Sequence, residues 1–308
     1  MIFMDIKDAD MDNMNDNTNE NVKGGTRSGM LYLCATPIGN LKDITARVLE
    51  TLNMVDLIAA EDTRNSIHLL THFDIHTPMT SYHEYNKVDK AYYLIEQMKE
   101  GKNIALITDA GTPGISDPGE VLVKMCHEAG ITVTSLPGPA ACITALTLSG
   151  LPTRRFCFEG FLPGSDDKKA RKDILEDLKD ESRTMIIYEA PHHLKAALSD
   201  LYETLGNRNM AICRELTKRF EEVMPTTLKA AIDYYNENDP RGEYVMVIEG
   251  QSIADQKKEK QKEWLSMSIE EHMEYYESQG VSHKDAMKKV ALDRGMQKRE
   301  IYQALIKK

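Results

Sequence analysis

Short, mostly apolar runs alternate along the chain with segments whose apolar residues recur at helical spacing. The runs lie at 30–35, 55–60, 104–108 and 131–136. Near-continuous apolar runs of this kind are typical of strands in a parallel sheet that is covered on both faces. The remaining segments predict helices at 41–53, 64–72, 87–100, 118–129 and 139–149. The pattern therefore predicts an α/β domain over residues 29–151, whose ligands bind beyond the carboxyl ends of the strands.

The same alternation continues and predicts a second α/β domain over residues 152–250. Its first strand is expected within 152–164, and further strands at 184–189, 210–213 and 244–248. Helices are predicted at 167–180, 191–205 and 226–237. Pro191 stands where a first helical residue is tolerated.

Residues 251–308 are predicted to be a polar linker (251–263) followed by three short helices. Ser268 and Glu271 have the spacing of a capping box. Apolar positions on both sides of Gly295 predict two helices joined by a tight turn, a helix-turn-helix-like pattern that any helical hairpin shares. At the other end of the chain, residues 1–28 show no apolar period and are predicted to be a disordered tail.

Composition excludes several classes of protein. Of 308 residues, 28% are charged and 41% are apolar, as in globular proteins. No apolar run approaches a membrane span, and the N-terminus lacks the pattern of a secretory signal. The chain has an odd number of cysteines, and no two of them form a C-x-x-C pair: Cys34, Cys126, Cys142, Cys157 and Cys213. This pattern argues against a disulfide framework and against a zinc site. It predicts a reducing, cytoplasmic setting. No metal site is expected.

The net charge of −11 argues against a general binder of polyanions. The charge is uneven, however, since residues 281–308 contain eight basic and three acidic residues. A basic end on an acidic body can contact nucleic acid. A solvated helical surface explains the same charges, and charge alone favours that simpler interpretation.

Three loops rich in Gly and Pro follow predicted strands. The first, 35–40, includes Pro37 and Gly39 but does not match G-x-G-x-x-G, which argues against a dinucleotide-binding turn. The second, 111–119, and the third, 136–141, are placed by the sequence on adjacent strands, where they would form a cofactor cradle. Pro139 is expected to begin the following helix. Each loop taken alone is also consistent with a rigid structural turn.

Polar side chains cluster after the second strand and in the loop that follows it. Residues 61–64 read Glu-Asp-Thr-Arg, and residues 81–87 read Ser-Tyr-His-Glu-Tyr-Asn-Lys. Both segments are expected on the same rim, where acid, base and imidazole would suit substrate binding and proton transfer. Exposed loop side chains or helix caps remain the competing explanation.

Six motifs in this order resemble one family. ATPIGNL (35–41), AEDTR (60–64), SYHEYN (81–86), TDAGTPGISDPG (108–119), PGPAA (137–141) and FEGFLP (158–163) are similar to those of the small-subunit rRNA cytidine 2′-O-methyltransferases. These belong to the tetrapyrrole-methylase-like class of enzymes that use S-adenosylmethionine (SAM). The resemblance implies two α/β domains with SAM in the cleft between them, a C-terminal RNA-binding helical domain and a homodimer. The implied reaction methylates a decoding-region cytidine of 16S rRNA in the small ribosomal subunit.

The resemblance, together with the position of the loops at the carboxyl ends of the strands, assigns residues to three roles. The expected SAM-binding residues are Pro37, Gly39, Gly111, Thr112, Pro113, Gly114, Ile115, Ser116, Asp117, Pro137, Gly138, Pro139, Ala140, Ala141 and Tyr188. Candidates to accept the ribose proton are Glu61, Asp109 and His83, and candidates to position ribose or phosphate are Arg64, Asn86 and Lys87. SAM carries no phosphate and a positive sulfonium, which agrees with the missing G-x-G-x-x-G turn and with the acidic body.

Rival functions remain open at this point. A methyltransferase of the same class acting on a tetrapyrrole or another small molecule would share the fold. A non-catalytic RNA-binding assembly factor would use the C-terminal helices alone. A Rossmann dehydrogenase fits least, because its first turn is absent. The basic C-terminal helices favour an RNA substrate over a small molecule.

Overall fold

The computed structural model describes residues 28–164, 167–252, 261–262 and 264–306. The chain divides into two compact units. Of the described residues, unit 1 contains those up to Pro37 and Leu41–Pro139, and unit 2 contains Ile38–Asn40 and those from Ala140 onward. The predicted tail at 1–28, apart from its last residue, and most of the predicted linker at 251–263 lie outside the described residues. No helix among the residues described is both long and apolar enough to cross a membrane.

Unit 1 contains a five-stranded, fully parallel sheet in the order β3-β2-β4-β1-β5. Its strands are β1 (Met30–Cys34), β2 (Leu57–Ala60), β3 (Met79–Ser81), β4 (Ile104–Ile107) and β5 (Thr132–Leu136). Its helices are α1 (Ala46–Met54), α2 (Thr63–His72), α3 (Lys87–Lys99) and α4 (Gly119–Glu128). The predicted parallel α/β domain is therefore confirmed.

Both faces of this sheet are covered, which explains why its strands are apolar at nearly every position. Leu31 and Leu33 point to a core shared with α3 and α4. Cys34 points to the opposite core, together with residues of α1 such as Val48 and Leu52. Successive side chains of a strand alternate between faces, so two covered faces require two apolar sets.

Unit 2 contains a mixed five-stranded sheet in the order β6-β7-β10-β8-β9, in which only the β6–β7 pair is parallel. Its strands are β6 (Phe156–Phe161), β7 (Thr184–Glu189), β8 (Asn209–Arg214), β9 (Glu222–Thr227) and β10 (Tyr244–Ile248). One face packs against α6 (Lys168–Leu178), α7 (Pro191–Leu205) and α8 (Leu228–Glu237). Pro191 is the first residue of α7, as predicted.

The other face of this sheet is covered by α5 (Ala141–Leu148). Cys142, Ala145 and Leu146 of α5 share a core with Ile186 of β7 and Val247 of β10. Two expectations from the sequence are corrected here. The helix packs within unit 2, although the sequence placed it in the first domain, and it begins after Ala140, so Pro139 is not its first residue.

Among the residues described after Ser268, three short helices occur, as predicted: α9 (Ile269–Ser278), α10 (His283–Arg294) and α11 (Lys298–Ile306). Residues 261–262, at the end of the predicted linker, and residues 264–266 are helical as well. The helices α9, α10 and α11 share a small apolar core that includes Met273, Val290 and Ile301. Ser268 and Glu271 form the predicted capping box. Gly295 ends α10 in the left-handed conformation, which a glycine adopts without strain, and so makes the predicted tight turn before α11.

Three local predictions were incomplete. The segment predicted as helix at 41–53 is a short 3-10 turn, Leu41–Asp43, followed by α1, because Thr45 caps α1 through the Val48 amide. The strands β3 and β9 were not predicted. β9 contains Pro225, a residue that cannot donate to a neighbouring strand and is therefore confined to an edge such as this one.

Candidate functional site

The carboxyl ends of the five strands of unit 1 meet at one edge of the sheet. Across this edge the loops follow the strand order, so that residues 82–86 lie beside 61–62, which lie beside 108–119. The loop at 35–37 comes next and the turn at 137–139 is last. The helices after β1 and β4 lie on opposite faces, which makes the β1–β4 boundary the switch point where α/β sheets bind ligands.

This order corrects one expectation. The two Gly/Pro loops do not follow adjacent strands, because β1 lies between β4 and β5. They nevertheless touch, since the Thr112 hydroxyl donates to the Pro139 carbonyl at 2.9 Å. The loop after β1 joins them: Thr36 and Gly111 exchange two backbone hydrogen bonds, and Gly138 packs so closely on Ala35 that a Cβ atom would lie 2.6 Å from that side chain.

Two of the predicted proton acceptors, Glu61 and Asp109, lie together in this edge. Glu61 Oε2 accepts from the Thr108 hydroxyl at 2.5 Å and, more weakly, from the Asp109 amide at 3.4 Å. Asp109 accepts from the Asp62 amide at 3.2 Å through Oδ1 and from Asn65 Nδ2 at 2.9 Å through Oδ2. Both carboxylates are thus fixed by donors near the N-terminus of α2 and the end of β4.

Arg64, expected to position substrate, extends into solvent with 87% of its side chain exposed. Its guanidinium is paired with Asp62, the N-cap of α2, at 2.6 Å. The hydrogen bonds from Arg64 lower the pKa of Asp62 to about 2, so this carboxylate stays charged over the whole neutral range. Because the pair is exposed, it contributes little to stability, but it fixes where the guanidinium lies.

His83 and Asn86 lie in a tight turn that begins just after β3, and Lys87 follows it as the first residue of α3. The Asn86 amide donates to the His83 carbonyl at 3.0 Å, and the His83 amide donates to Asn86 Oδ1 at 2.8 Å. The His83 ring is half-buried: Nε2 lies 3.4 Å from the Asn86 side-chain amide, and Nδ1 is buried without a partner among the described residues. Lys87 pairs with Glu84 at 2.5 Å. The three residues therefore first stabilise their own turn.

The loop 111–119 is organised by one side chain, Asp117. Its carboxylate accepts from the amides of Gly114, Ile115 and Gly119 at distances between 2.7 and 3.1 Å. Gly111 and Gly114 adopt positive φ angles of 89° and 87°, where only glycine is free of strain. Asp117, predicted as a SAM-binding residue, thus holds the loop in shape, while Ile115 and Ser116 are left exposed at its tip.

Four of the predicted SAM-binding residues belong to unit 2: Gly39, Ala140, Ala141 and Tyr188. Ala140, Ala141 and Tyr188 share one core. The Tyr188 hydroxyl accepts from the Cys142 amide at 3.0 Å, at a helix end where the N-cap residue, Ala140, has no polar side chain to cap α5. Gly39 packs against residues 216–218, where a Cβ atom would lie 2.4 Å from the Lys218 side chain.

Sequence reasoning missed three residues. Thr108 and Asn65 orient the carboxylates of Glu61 and Asp109. Their positions just after β4 and in the first turn of α2 could have indicated this. Thr217 of unit 2 adopts a positive φ angle of 66°, and nothing in the sequence marks this strain, because the residue is not a glycine.

The edge of unit 1 suits a cationic ligand. Glu61, Asp62, Asp109 and Asp117 place four carboxylates there, and Arg64 is engaged with one of them. Backbone groups of the glycine-containing loop are open to close approach, and an exposed apolar side chain, Ile115, lies beside them. A sulfonium next to an adenosine fits this set. No cluster of metal-ligating side chains occurs among the residues that the structure describes.

Residues 30–232 match the family Tetrapyrrole (Corrin/Porphyrin) Methylases. The chain is 47% identical to "Ribosomal RNA small subunit methyltransferase I" of Bacillus subtilis, over 91% of this chain and 95% of the relative. It is 48% identical to the protein of the same name from Halalkalibacterium halodurans, over 89% and 93% of the two chains.

Solved structures show the same fold at low sequence identity. A diphthine synthase matches with a TM-score of 0.58 at 14% identity, over 73% of this chain and 91% of that one. A uroporphyrin-III-C-methyltransferase from Thermus thermophilus matches with a TM-score of 0.51 at 17% identity, over 71% and 94%. With the sequence matches, these findings establish that the chain belongs to the tetrapyrrole methylase family and is a methyltransferase that uses SAM.

Proposed function

We propose that this enzyme methylates the ribose 2′-hydroxyl of a decoding-region cytidine in 16S rRNA, within the assembled small subunit. The observation that carries the proposal is the extent of the matches. The family match ends at residue 232, whereas the relatives named for small-subunit rRNA from Bacillus subtilis and Halalkalibacterium halodurans align over 91% and 89% of this chain. A small-molecule methyltransferase has no use for a further helical segment with an excess of basic residues.

The carboxylates of unit 1 would supply the proton acceptor. When bound, SAM supplies a methyl group on a positively charged sulfur. Transfer of that methyl group from the sulfur to the ribose oxygen would release the hydroxyl proton, which one of these carboxylates would accept. Glu61 and Asp109 are preferred over His83, since one ring nitrogen of His83 is buried and the other faces Asn86. A positioned acceptor contributes roughly 10²–10⁴-fold in rate.

The rest of the rate enhancement would come from alignment. A sulfonium is a good leaving group, so the main task of the chain is to hold oxygen, carbon and sulfur in line. Orientation of this kind lowers a barrier by up to about 7–11 kcal/mol. Asp117 accepts hydrogen bonds from three amides of its own loop, and the turn at 137–139 contacts that loop, so both would support this alignment. Arg64, Asn86 and Lys87 would then guide ribose or phosphate.

The C-terminal helices would bind the phosphate backbone of the rRNA. α10 and α11 carry exposed basic side chains outside their shared core: Lys284, Lys288, Lys289 and Arg299. Phosphate contacts by lysine and arginine supply affinity that falls as the salt concentration rises.

We further propose that the enzyme acts in the cytoplasm, where small subunits are assembled. We also propose that it is a homodimer, which light scattering after size-exclusion chromatography would test.

One assay tests the proposal directly. The enzyme is incubated with SAM labelled in its methyl group and with small subunits that lack the modification, and the label is mapped by nuclease digestion. We expect label on the ribose of a single decoding-region cytidine. Label on a base or on another nucleotide would contradict the site. SAM binding without any transfer to rRNA would support an assembly factor instead.

A further inference from the structure

A single aromatic side chain stands almost free of the protein at the edge of unit 1. Tyr85 is 97% exposed, the largest value among the exposed large hydrophobic residues of the described chain. Its only ring contact among the described residues is an edge-on approach to the His83 ring, with centroids 6.2 Å apart. Both faces of the phenol ring are therefore open to a planar ligand.

The backbone beneath Tyr85 is held in place. Tyr85 is a central residue of the turn in which the Asn86 amide donates to the His83 carbonyl. An ion pair between Glu84 and Lys87 also links residues on either side of Tyr85. Tyr82, just before the turn, is buried and donates its hydroxyl to the Pro118 carbonyl at 2.9 Å. This hydrogen bond links the turn to the end of the loop that Asp117 organises. The backbone of Tyr85 is therefore held in place although its side chain is exposed.

The position of Tyr85 relates it to the reaction. Ser81 at the end of β3 pairs with Ala60 at the end of β2, so the turn stands beside Glu61, and Glu61 bonds to Thr108 of the next strand. If the 2′-hydroxyl of a bound ribose contacts these carboxylates, the base attached to that ribose lies near the same edge of the sheet. The Tyr85 side chain is long enough to reach it there. Proteins that read unstacked nucleotides stack such bases on exposed aromatic rings.

We propose that Tyr85 is a positioning residue that stacks on a nucleobase of the rRNA substrate at or beside the methylated nucleotide. The inference rests on the proposed function. Stacking needs an aromatic face rather than a hydroxyl or mere apolar bulk, so Tyr85→Phe should behave as wild type, while Tyr85→Leu and Tyr85→Ala should not. Loss of one stacked base weakens binding by roughly 5- to 150-fold.

The test measures methyl transfer to unmodified small subunits with the intact enzyme, separating KM for the subunit from the single-turnover rate, and SAM affinity separately. Tyr92→Ala is the matched control, since Tyr92 is an exposed tyrosine on α3 that lies further from the edge. We expect Tyr85→Ala and Tyr85→Leu to raise KM within the stated range, with SAM affinity unchanged and Tyr92→Ala silent.

Two outcomes would overturn the inference. In the first, Tyr85→Leu retains wild-type KM, which would show that no aromatic face is needed. In the second, Tyr85→Ala converts a dimer to a monomer by light scattering, which would make Tyr85 a contact to a second copy of the chain. The wild-type assay separates these from a failure of the proposed function, because only the latter abolishes transfer to rRNA by every variant, including wild type.

Discussion

The loop edge of unit 1 and the three C-terminal helices are both rich in charged residues, but they use them in opposite ways. At the edge, Glu61 and Asp109 are accessible and are bonded to donors of neighbouring loops. Among the helices, Arg294 and His272 are buried and are bonded to each other. Charge in a sequence therefore does not reveal its role. Topology decides whether a polar group meets a substrate or supports a core.

The largest effect is expected from Glu61→Gln at the edge. If Glu61 is the proton acceptor, single-turnover methylation should fall by roughly 10²–10⁴-fold while SAM affinity changes little. Thr108→Val removes the hydroxyl that orients Glu61 and should slow the reaction less than Glu61→Gln does. The double variant, Thr108→Val with Glu61→Gln, should be no slower than Glu61→Gln alone. Asp109→Asn and His83→Ala test the other two acceptors. An unchanged rate in Glu61→Gln with a large loss in Asp109→Asn would move the role to Asp109.

A smaller effect is expected where a charge of the edge is structural. Asp117→Ala frees the amides of Gly114, Ile115 and Gly119, and hydrogen bonds to a charged group each contribute about 1.5–3 kcal/mol. We expect a lower free energy of unfolding and a SAM affinity weaker by roughly tenfold or more, which corresponds to about 1.4 kcal/mol. Glu120→Ala removes an exposed acid from the same region of the chain and should do neither. Equal losses in both variants would show a general charge effect instead.

The same contrast explains what the sequence could predict. Near-continuous apolar strands that alternate with helices required a parallel sheet covered on both faces, and this placed residues 61–64 and 108–119 on a common edge. The strand order could not be predicted. After β4 the chain passes over β1, so that β5 pairs with the other edge of β1, and this pairing depends on tertiary packing that a local sequence pattern does not show. α5 is apolar all round, so its sequence did not indicate which sheet it would cover. β3 is three residues long and β9 contains Pro225, so neither gave a strand signal.

Two of the expected SAM-binding residues make contacts within the protein that the sequence did not predict. Asp117 satisfies three backbone amides of its own loop. The Tyr188 hydroxyl accepts from the Cys142 amide in the first turn of α5. Both contacts depend on the folded course of the backbone, which sequence spacing does not give. Whether these residues also touch SAM stays a prediction.

Two arginines of the C-terminal helices offer a matched test of buried against exposed charge. Arg294 donates to His272 Nδ1 and to the carbonyls of Met267 and Ser268, whereas Arg299 is exposed on α11. Arg294→Gln should lower the free energy of unfolding by about 1–3 kcal/mol, because buried acceptors lose their donor. Arg299→Gln should leave stability unchanged and reduce the salt dependence of rRNA binding by about one phosphate contact. Thermal unfolding and binding across a salt series distinguish the two, and the reverse pattern would refute this division of roles.

The smallest effect is a pH dependence confined to the C-terminal helices. His272 is fully buried, and burial, followed by the charge of Arg294, lowers its pKa below the usual 6.5, although Asp293 opposes the shift. The unfolded chain therefore binds a proton at a pH where the folded helices do not. The stability of these helices should be complete above pH 6.5 and should decline as the pH falls below it, by at most about 1.4 kcal/mol per unit.

Trp264, the one tryptophan of the sequence, reports on this event, because its ring stacks on that of His272 with centroids 4.0 Å apart. Denaturant unfolding followed by tryptophan fluorescence should show the decline between pH 7 and pH 5. His272→Gln should remove that slope, and His283→Gln, which changes an exposed histidine of the same helices, should keep it. A slope that survives in His272→Gln would place the titrating group elsewhere and would leave His272 with a packing role alone.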